Sequence, residues 1–224
     1  MTVVVFDWDG TLVDSMKALS GSFVDIASEY FGVRKEEAAQ IMQMHLGQDL
    51  TAHMARIAAS KNPMFSAAMV EKAIKKYRES EAKSDAKSKL FPEVLKVISE
   101  LKRDGYELCV SSGRPQNSIL AGVKGKGMTP CFRFILGTKS EFHKGKAHFD
   151  FISKALTATA KQLVFVGDGP FDMKVGKEYG CLTVGRIDQV DEATLLSAGA
   201  DAIIYDLWQL PRIIREYENK QAIG

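Results

Sequence analysis

The chain has 224 residues, of which 46% are hydrophobic and 26% are charged. This composition excludes a largely disordered chain, and the length suffices for one large domain or for a domain with an insert. Thirty basic side chains against 28 acidic ones leave a net charge of +2, which gives no electrostatic reason to expect nucleic acid as a partner.

The cysteines and the first residues indicate the compartment. The three cysteines, Cys109, Cys131 and Cys181, show no paired spacing, so we expect neither a disulfide framework nor a zinc site. The N-terminal sequence lacks the basic segment of a signal peptide, and no apolar run is long enough to span a bilayer. We therefore expect a cytoplasmic protein without a membrane partner.

Short apolar runs recur along the chain and predict buried strands. The first, at residues 2–6, is continuous and rich in β-branched side chains, as in a strand covered on both faces. Between most runs, apolar residues recur at helical spacing, as at Val94, Ile98 and Leu101. The other predicted strands lie at residues 107–110, 132–136, 163–166, 181–184 and 202–204. The alternation predicts an α/β fold with a parallel sheet and helices on both faces.

Residues 15–89 interrupt this alternation. They contain several helical patterns and no convincing strand, which predicts an all-helical insert in a core formed by residues 1–14 and 90–224. We interpret the segments 13–15 and 79–89 as linkers that let the insert move relative to the core. The Lys-rich character of the second linker is typical of a solvated helix end.

Two aspartates stand together directly after the first predicted strand. Asp7 and Asp9 are separated by one residue, so their side chains project in the same direction where the chain leaves the sheet. Two ionised carboxylates that close repel each other, and a fold keeps them with a cation nearby or with a shared proton. Gly10 permits a sharp turn whose backbone N–H groups can face an anion. The plain alternative is a turn with two solvated aspartates, but this edge of an α/β sheet is where ligands bind.

A second acidic pair follows another buried run. Asp168 stands at the carboxyl end of the strand predicted at residues 163–166, and Asp172 falls in the first turn of the next helix. Hard oxygen ligands with few other protein donors suit Mg²⁺. Asp172 taken alone is equally explained as an acid that the helix dipole favours. The two acidic pairs together indicate a metal site.

Two further segments carry groups that can hold an anion. The strand predicted at 107–110 leads into Ser111, Ser112 and Gly113, whose hydroxyl and N–H groups can bind a phosphoryl oxygen, although they also suit an ordinary helix cap. Further on, Lys144 and Lys146 place positive charge in a loop before a helix.

In this order the motifs resemble those of the haloacid dehalogenase superfamily, in the phosphatase branch with a helical cap inserted after the first strand. The resemblance rests on the acidic blocks at 7–11 and 167–172, on the serine and the lysine between them and on the helical insert, and it covers essentially the whole chain. It implies a Rossmann-like core and makes residues 15–89 the cap domain.

The resemblance also implies roles for the matched residues. Asp7 would be the nucleophile, and Asp9 would be the general acid and then the general base. Asp168 would hold Mg²⁺ together with Asp7, the backbone carbonyl of Asp9 and Asp172. The residues implied to contact phosphate are Trp8, through its backbone N–H, and Asp9, Gly10, Ser112, Gly113, Lys144 and Lys146.

Two of these assignments stay open. A shift of one position would put Ser111 in the place of Ser112. The family's lysine block commonly carries prolines that are absent around Lys144 and Lys146, and we favour Lys144. The ring of Trp8 is expected to pack into a core.

The function expected from this resemblance is Mg²⁺-dependent hydrolysis of a small phosphate monoester, with phosphoglycolate as one candidate. The alternatives are a phosphomutase of the β-phosphoglucomutase type and a non-catalytic protein of the same fold. The intact Asp7 and Asp9 pair argues against the last. Within the insert, Gln48, His53 and Arg56 could select the substrate or could be ordinary helix-surface residues. The sequence gives no indication of an oligomeric state.

Overall fold

The computed structural model describes residues 1–61 and 66–223. Its strands are β1 (Val3–Phe6), β2 (Val13–Asp14), β3 (Lys89–Leu90), β4 (Glu107–Pro115), β5 (Phe134–Thr138), β6 (Leu163–Gly167), β7 (Leu182–Arg186) and β8 (Ala202–Ile204). Its α-helices are α1 (Met16–Phe31), α2 (Lys35–Met44), α3 (Leu50–Lys61), α4 (Ala67–Lys87), α5 (Val94–Arg103), α6 (Gln116–Gly125), α7 (Lys146–Leu156), α8 (Pro170–Tyr179), α9 (Glu192–Ser197) and α10 (Leu210–Ile223). Short 3₁₀ turns occupy Thr129–Cys131, Ala160–Gln162 and Leu207–Gln209.

The main sheet is parallel and confirms the predicted α/β fold. Within the described residues it has six strands in the order β5-β4-β1-β6-β7-β8. β1 pairs in parallel with β4 on one side and with β6 on the other, which explains why it is continuously apolar and fully buried. The carboxyl ends of these three central strands therefore meet at one edge of the sheet, where the two acidic pairs and the serines follow them.

Helices cover both faces of the sheet. Along β1, Val4 and Phe6 belong to one apolar cluster, with residues of α5, α6 and α10. Val3 and Val5 belong to a second cluster, which α7 completes. Alternate residues of a strand point to opposite faces, so this division places a helical layer on each side of the sheet.

The helices α1–α4 form the predicted helical insertion between β1 and β4. Their apolar core includes Phe23 of α1 and Tyr77 of α4, whose rings meet edge to face with centroids 6.3 Å apart. The same cluster continues into Met173 of α8 and Leu195 of α9, so the insert packs against the helical layer of the sheet.

The two segments that connect the sheet to the insert differ from the predicted linkers. β2 and β3 pair antiparallel, with Val13 opposite Leu90, and make a short ribbon that the sequence patterns did not predict. The linker interpretation of 79–89 is wrong for most of that segment, because α4 continues to Lys87. Glu81 and Ser84 in its last turns are buried, so one polar face packs against the rest of the molecule. Lys83 and Lys87 are exposed, as expected of a solvated helix end. In the described part of the chain, no helix combines the length and the apolar character needed to cross a bilayer.

Candidate functional site

Asp7 and Asp9 lie where β1 ends and the chain turns. The N–H of Asp7 donates to the carbonyl of Val166 at 2.8 Å, which extends the pairing with β6 and holds the Asp7 side chain in a buried position. Gly10 has a φ of +71°, and a Cβ atom there would lie 2.1 Å from Oδ2 of Asp168. Its N–H donates to the carbonyl of Val13, so among the N–H groups of this turn the one of Gly10 is not free to bind an anion, contrary to expectation. Glycine is required at this position because the turn is left-handed and Asp168 approaches closely.

Asp7, Asp168 and Asp172 form a buried carboxylate cluster. Each offers one oxygen, and these oxygens lie within 4.8 Å of one another. Oδ2 of Asp172 accepts a hydrogen bond from the N–H of Gly169 at 3.1 Å, as expected at the start of α8. Oδ2 of Asp168 is buried and has no hydrogen-bond partner among the described residues. Burial, and then the charges of Asp7 and Asp172, raise the pKa of Asp168 well above its usual value.

A lysine lies between two of these carboxylates. Nζ of Lys144 is 2.8 Å from Oδ1 of Asp7 and 2.6 Å from Oδ1 of Asp172. Burial disfavours the charge on Lys144, but the two aspartates outweigh this effect and raise its pKa. For Asp7 burial dominates, and its pKa is raised even though Lys144 acts to lower it. Lys144 thus forms ion pairs with two of the three buried carboxylates, and the described residues provide no such partner for Asp168.

These carboxylates fit a divalent cation. They supply hard oxygen ligands from two adjacent strand ends and from the first turn of α8, and one buried oxygen of Asp168 has no hydrogen-bond partner among the described residues. Asp7, Asp168 and Asp172 are therefore the side chains that could hold Mg²⁺. The backbone carbonyl of Asp9 is the further ligand that the sequence motif implies.

The structure distinguishes the two candidate lysines and the two candidate serines. Lys146 begins α7, is exposed and pairs with Asp150 at 2.6 Å, whereas Lys144 lines the cavity above the carboxylates. Ser112 also lines this cavity, and its Oγ accepts from the N–H of Arg114 at 3.2 Å. Oγ of Ser111 lies 2.8 Å from Nδ1 of His148, away from the cavity.

The remaining implied phosphate contacts are placed as follows. Gly113 lines the cavity next to Ser112. The ring of Trp8 is fully buried in the apolar cluster that includes Phe6, as expected.

The insert closes over this cavity, which has a volume of about 40 Å³. The N–H of Phe171 in α8 donates to the carbonyl of Leu46 at 3.3 Å, which seats the segment between α2 and α3 on the core. A Cβ atom on Gly113 would lie 2.9 Å from the carbonyl carbon of Gln48, so the two backbones touch at a glycine. The insert residues that line the cavity are Met16, Leu19, Leu46, Gly47, Gln48, Asp49, Tyr77, Arg78 and Glu81.

Of the three insert residues considered as substrate selectors, only Gln48 lines the cavity. His53 is buried behind it, with Nε2 2.6 Å from Oε1 of Gln48. Arg56 is exposed and does not line the cavity.

Sequence reasoning missed a second group of charged residues at the cavity. Arg114 follows Ser112 by two positions and forms ion pairs with Asp9 of the core and with Asp85 of α4. Glu81 lies one helical turn before Asp85, and its Oε1 is 3.6 Å from Nε of Arg114. The signal was the spacing of Tyr77, Glu81 and Asp85, which recur every four residues and so share one face of α4. An apolar periodicity search overlooks such a face because most of its members are polar.

Comparisons with known proteins agree with this architecture. Residues 4–185 match the family model of the haloacid dehalogenase-like hydrolases. The chain is 28% identical to a phosphoglycolate phosphatase of Neisseria meningitidis, over 97% of this chain and 93% of that protein. It is 25% identical to the pyrophosphatase PpaX of Bacillus mycoides, over 82% of each.

A solved structure shows the same fold. The crystal structure of a predicted phosphoglycolate phosphatase from Haemophilus somnus matches with a TM-score of 0.78 at 21% identity, and the match covers 96% of this chain and 98% of that one. The family model spans the first strand, the helical insertion and both acidic blocks. The chain therefore belongs to the haloacid dehalogenase-like hydrolase family.

Proposed function

We propose that the protein is a Mg²⁺-dependent phosphatase that hydrolyses a small phosphate monoester through an aspartyl-phosphate on Asp7. The observation that carries this proposal is the buried cluster of Asp7, Asp168 and Asp172 with Lys144 between two of its members. Such a cluster is unfavourable in an empty site and is useful where a cation and a phosphoryl group bind together.

The proposed reaction has two displacements at phosphorus. In the first, an Oδ atom of Asp7 attacks, the bond to the ester oxygen breaks, and Asp9 gives its proton to the leaving oxygen. In the second, Asp9 takes a proton from water, the water oxygen attacks phosphorus, and the bond to Asp7 breaks. Asp7 is thereby regenerated and inorganic phosphate leaves.

The other residues at the cavity hold the phosphoryl group and offset its charge. The ammonium of Lys144 lies close enough to Asp7 to reduce the repulsion between this carboxylate and an anionic ester. Ser112 and Gly113 line the cavity, and in this proposal the Ser112 hydroxyl and the Gly113 N–H donate to phosphoryl oxygens. Mg²⁺, when bound by Asp7, Asp168 and Asp172, supplies the remaining positive charge that phosphoryl transfer requires.

The position of the insert over the cavity favours a role as a cap and a small substrate. We propose that residues 15–89 act as a cap domain over a core of 1–14 and 90–224, because the segment around Gln48 lies directly on the phosphate-binding backbone. A cavity of about 40 Å³ under this segment leaves little room for a large leaving group. The names of the relatives make phosphoglycolate and pyrophosphate the first substrates to test.

The three free cysteines support a reducing compartment such as the cytoplasm.

The test is hydrolysis of p-nitrophenyl phosphate, phosphoglycolate and pyrophosphate with Mg²⁺ and with a chelator. We expect activity only with Mg²⁺, and Asp7→Asn should lower kcat by about a thousandfold or more. Acid quenching during turnover should trap one phosphoryl group on Asp7, detected by mass spectrometry. Asp14→Asn is the matched control, because Asp14 is an exposed carboxylate in β2, and it should keep full activity. Activity that survives Asp7→Asn or needs no metal would overturn the proposal.

A further inference from the structure

Arg114 occupies an unusual position between the core and the insert. It lies near the end of β4, and its side chain is only 4% exposed. Its Nε and one terminal nitrogen donate to the two carboxylate oxygens of Asp9. The other terminal nitrogen donates to both oxygens of Asp85, at 2.8 and 2.7 Å. One guanidinium thus joins the proposed acid–base residue to helix α4 of the insert.

The charges around this guanidinium favour a fixed arrangement. Burial opposes the charge on Arg114, but Asp9, Glu81 and Asp85 together more than compensate. Glu81 is itself held by Arg78, at 3.2 Å, and by the Ser118 hydroxyl, at 3.1 Å. A planar guanidinium can bind two carboxylates through separate edges, which an ammonium cannot do in the same geometry.

We propose that Arg114 is a positioning residue for Asp9 and that Asp85 anchors it to the insert, so that Asp9 is oriented for proton transfer only while α4 lies against the core. This inference rests on the proposed function, in which Asp9 protonates the leaving oxygen. The two hydrogen bonds from Arg114 fix the plane of the Asp9 carboxyl group. The bonds to Asp85 fix Arg114 in turn relative to α4.

A purely structural role explains the arrangement less well. Buried ion pairs contribute little net stability, because the cost of removing charges from water offsets their attraction. Asp9 has a second partner where the chain enters the insert: the Ser15 hydroxyl, just before α1, donates to its Oδ1 at 2.5 Å. Asp9 thus contacts Ser15 at the start of the insert directly and α4 at its end through Arg114. These two contacts link the orientation of Asp9 to the position of the insert.

The test uses two aryl phosphates of similar size that differ in how much they need a proton on the leaving oxygen. Phenyl phosphate has a basic leaving group that needs the acid, whereas p-nitrophenyl phosphate departs with little assistance. The measured quantity is kcat/KM, which reports the displacement by Asp7 in which the leaving group departs. We expect Arg114→Gln to lower kcat/KM for phenyl phosphate about a hundredfold, and at least tenfold more than for p-nitrophenyl phosphate. Arg114→Lys should restore little of this loss.

Two further variants separate anchoring from folding. Asp85→Asn removes the charge that pairs with Arg114 and leaves a single oxygen to accept from it, so it weakens the link to the insert and keeps the contact of Arg114 with Asp9. It should therefore lower kcat/KM selectively for phenyl phosphate, at least threefold more than for p-nitrophenyl phosphate. It also provides the test if Arg114→Gln does not fold. Lys126→Met is the matched control, because Lys126 donates to the Asp85 carbonyl at 2.7 Å and holds the same end of α4 without touching Asp9. It should affect both esters equally.

The outcomes separate this inference from the proposed function. Equal losses for both esters in Arg114→Gln and Asp85→Asn, or the same selective loss in Lys126→Met, would overturn the positioning role. A rise in KM of the same size for both esters, without a selective loss of kcat/KM for phenyl phosphate, would mean that Arg114 binds substrate, which also overturns it. Failure of the proposed function would instead appear as hydrolysis that persists in Asp7→Asn.

Discussion

Two buried histidines near the candidate site illustrate how single residues depend on their surroundings. His148 is fully buried behind Ser111, and burial, together with the charge of Lys144, lowers its pKa to about 3. His53 lies in the insert behind Gln48, and burial lowers its pKa to about 4, with His45 adding to the effect. At neutral pH both side chains are therefore uncharged and form hydrogen bonds inside the protein. His148 lies in α7 beside the sheet, and His53 lies in α3 of the insert.

The pKa of His148 predicts a stability that depends on pH. In the unfolded chain this histidine binds a proton near pH 6.5, whereas in the folded chain it stays neutral down to about pH 3. The unfolded state therefore binds more protons below pH 6.5, and the free energy of unfolding should fall as the pH is lowered through that range, by up to about 1.4 kcal/mol per pH unit for this residue.

Urea unfolding at pH 7.5, 6.5 and 5.5 tests this expectation. The stability of His148→Gln should fall less steeply with acidification than that of the unaltered protein. His143→Gln replaces an exposed histidine in the same segment and should retain the original slope. Equal slopes for the unaltered protein and His148→Gln would contradict the assignment.

At the scale of elements, the site depends on contacts between segments that are distant in sequence. The segment between α2 and α3 lies on the end of β4, and α4 presents Glu81 and Asp85 to Arg114 from the other side. Neither contact is apolar, so the insert is positioned over the cavity partly by backbone fit and by buried charge. Such contacts are sensitive to a change of a single methyl group.

Gly113→Ala is expected to keep the segment around Gln48 from seating on the core. The added Cβ would lie 2.9 Å from the carbonyl carbon of Gln48 and 3.1 Å from the N–H nitrogen of Asp49, and backbone atoms cannot move aside as a flexible side chain can. We expect kcat/KM for p-nitrophenyl phosphate to fall about tenfold or more, with little change in the thermal midpoint. Gly125→Ala in α6 is the control, because its Cβ would meet open space. Equal activities of the two variants would show that this close approach is not needed for turnover.

At the scale of the whole molecule, the fold gathers more negative charge at one edge of its sheet than its own cations balance. Lys144 forms ion pairs with Asp7 and Asp172. Oδ2 of Asp168 is buried and has no hydrogen-bond partner among the described residues. This arrangement costs stability in the absence of a cation and is stabilised when a cation binds.

Mg²⁺ should therefore raise the thermal midpoint of the protein, by an amount that corresponds to about 2.7 kcal/mol at a hundredfold excess over the dissociation constant. Asp168→Asn removes one of the repelling carboxylates. It should raise the midpoint of the metal-free protein and abolish the response to Mg²⁺, as measured by calorimetry. Asp14→Asn, which alters an exposed carboxylate, should keep the response. A metal-free Asp168→Asn protein less stable than the unaltered one would contradict this account.

The sequence by itself determined the features that depend on neighbouring residues. The apolar run of β1 and its counterparts predicted the parallel sheet, and the helical spacing of residues 15–89 predicted the insertion. Asp7 and Asp168 could be placed together in advance, because adjacent parallel strands end at the same edge of a sheet. Local periodicity and chain order suffice for such inferences.

Only the tertiary structure decided the features that depend on where distant segments meet. Lys144 and Lys146 look alike in a loop sequence, and the turn before α7 buries the first and exposes the second. Strand alternation directs Ser112 into the cavity and Ser111 towards His148, a register that residue types do not reveal. The link from Asp9 through Arg114 to Asp85 joins residues from three separate parts of the chain, and a polar helix face becomes a buried one only when the whole molecule has folded around it.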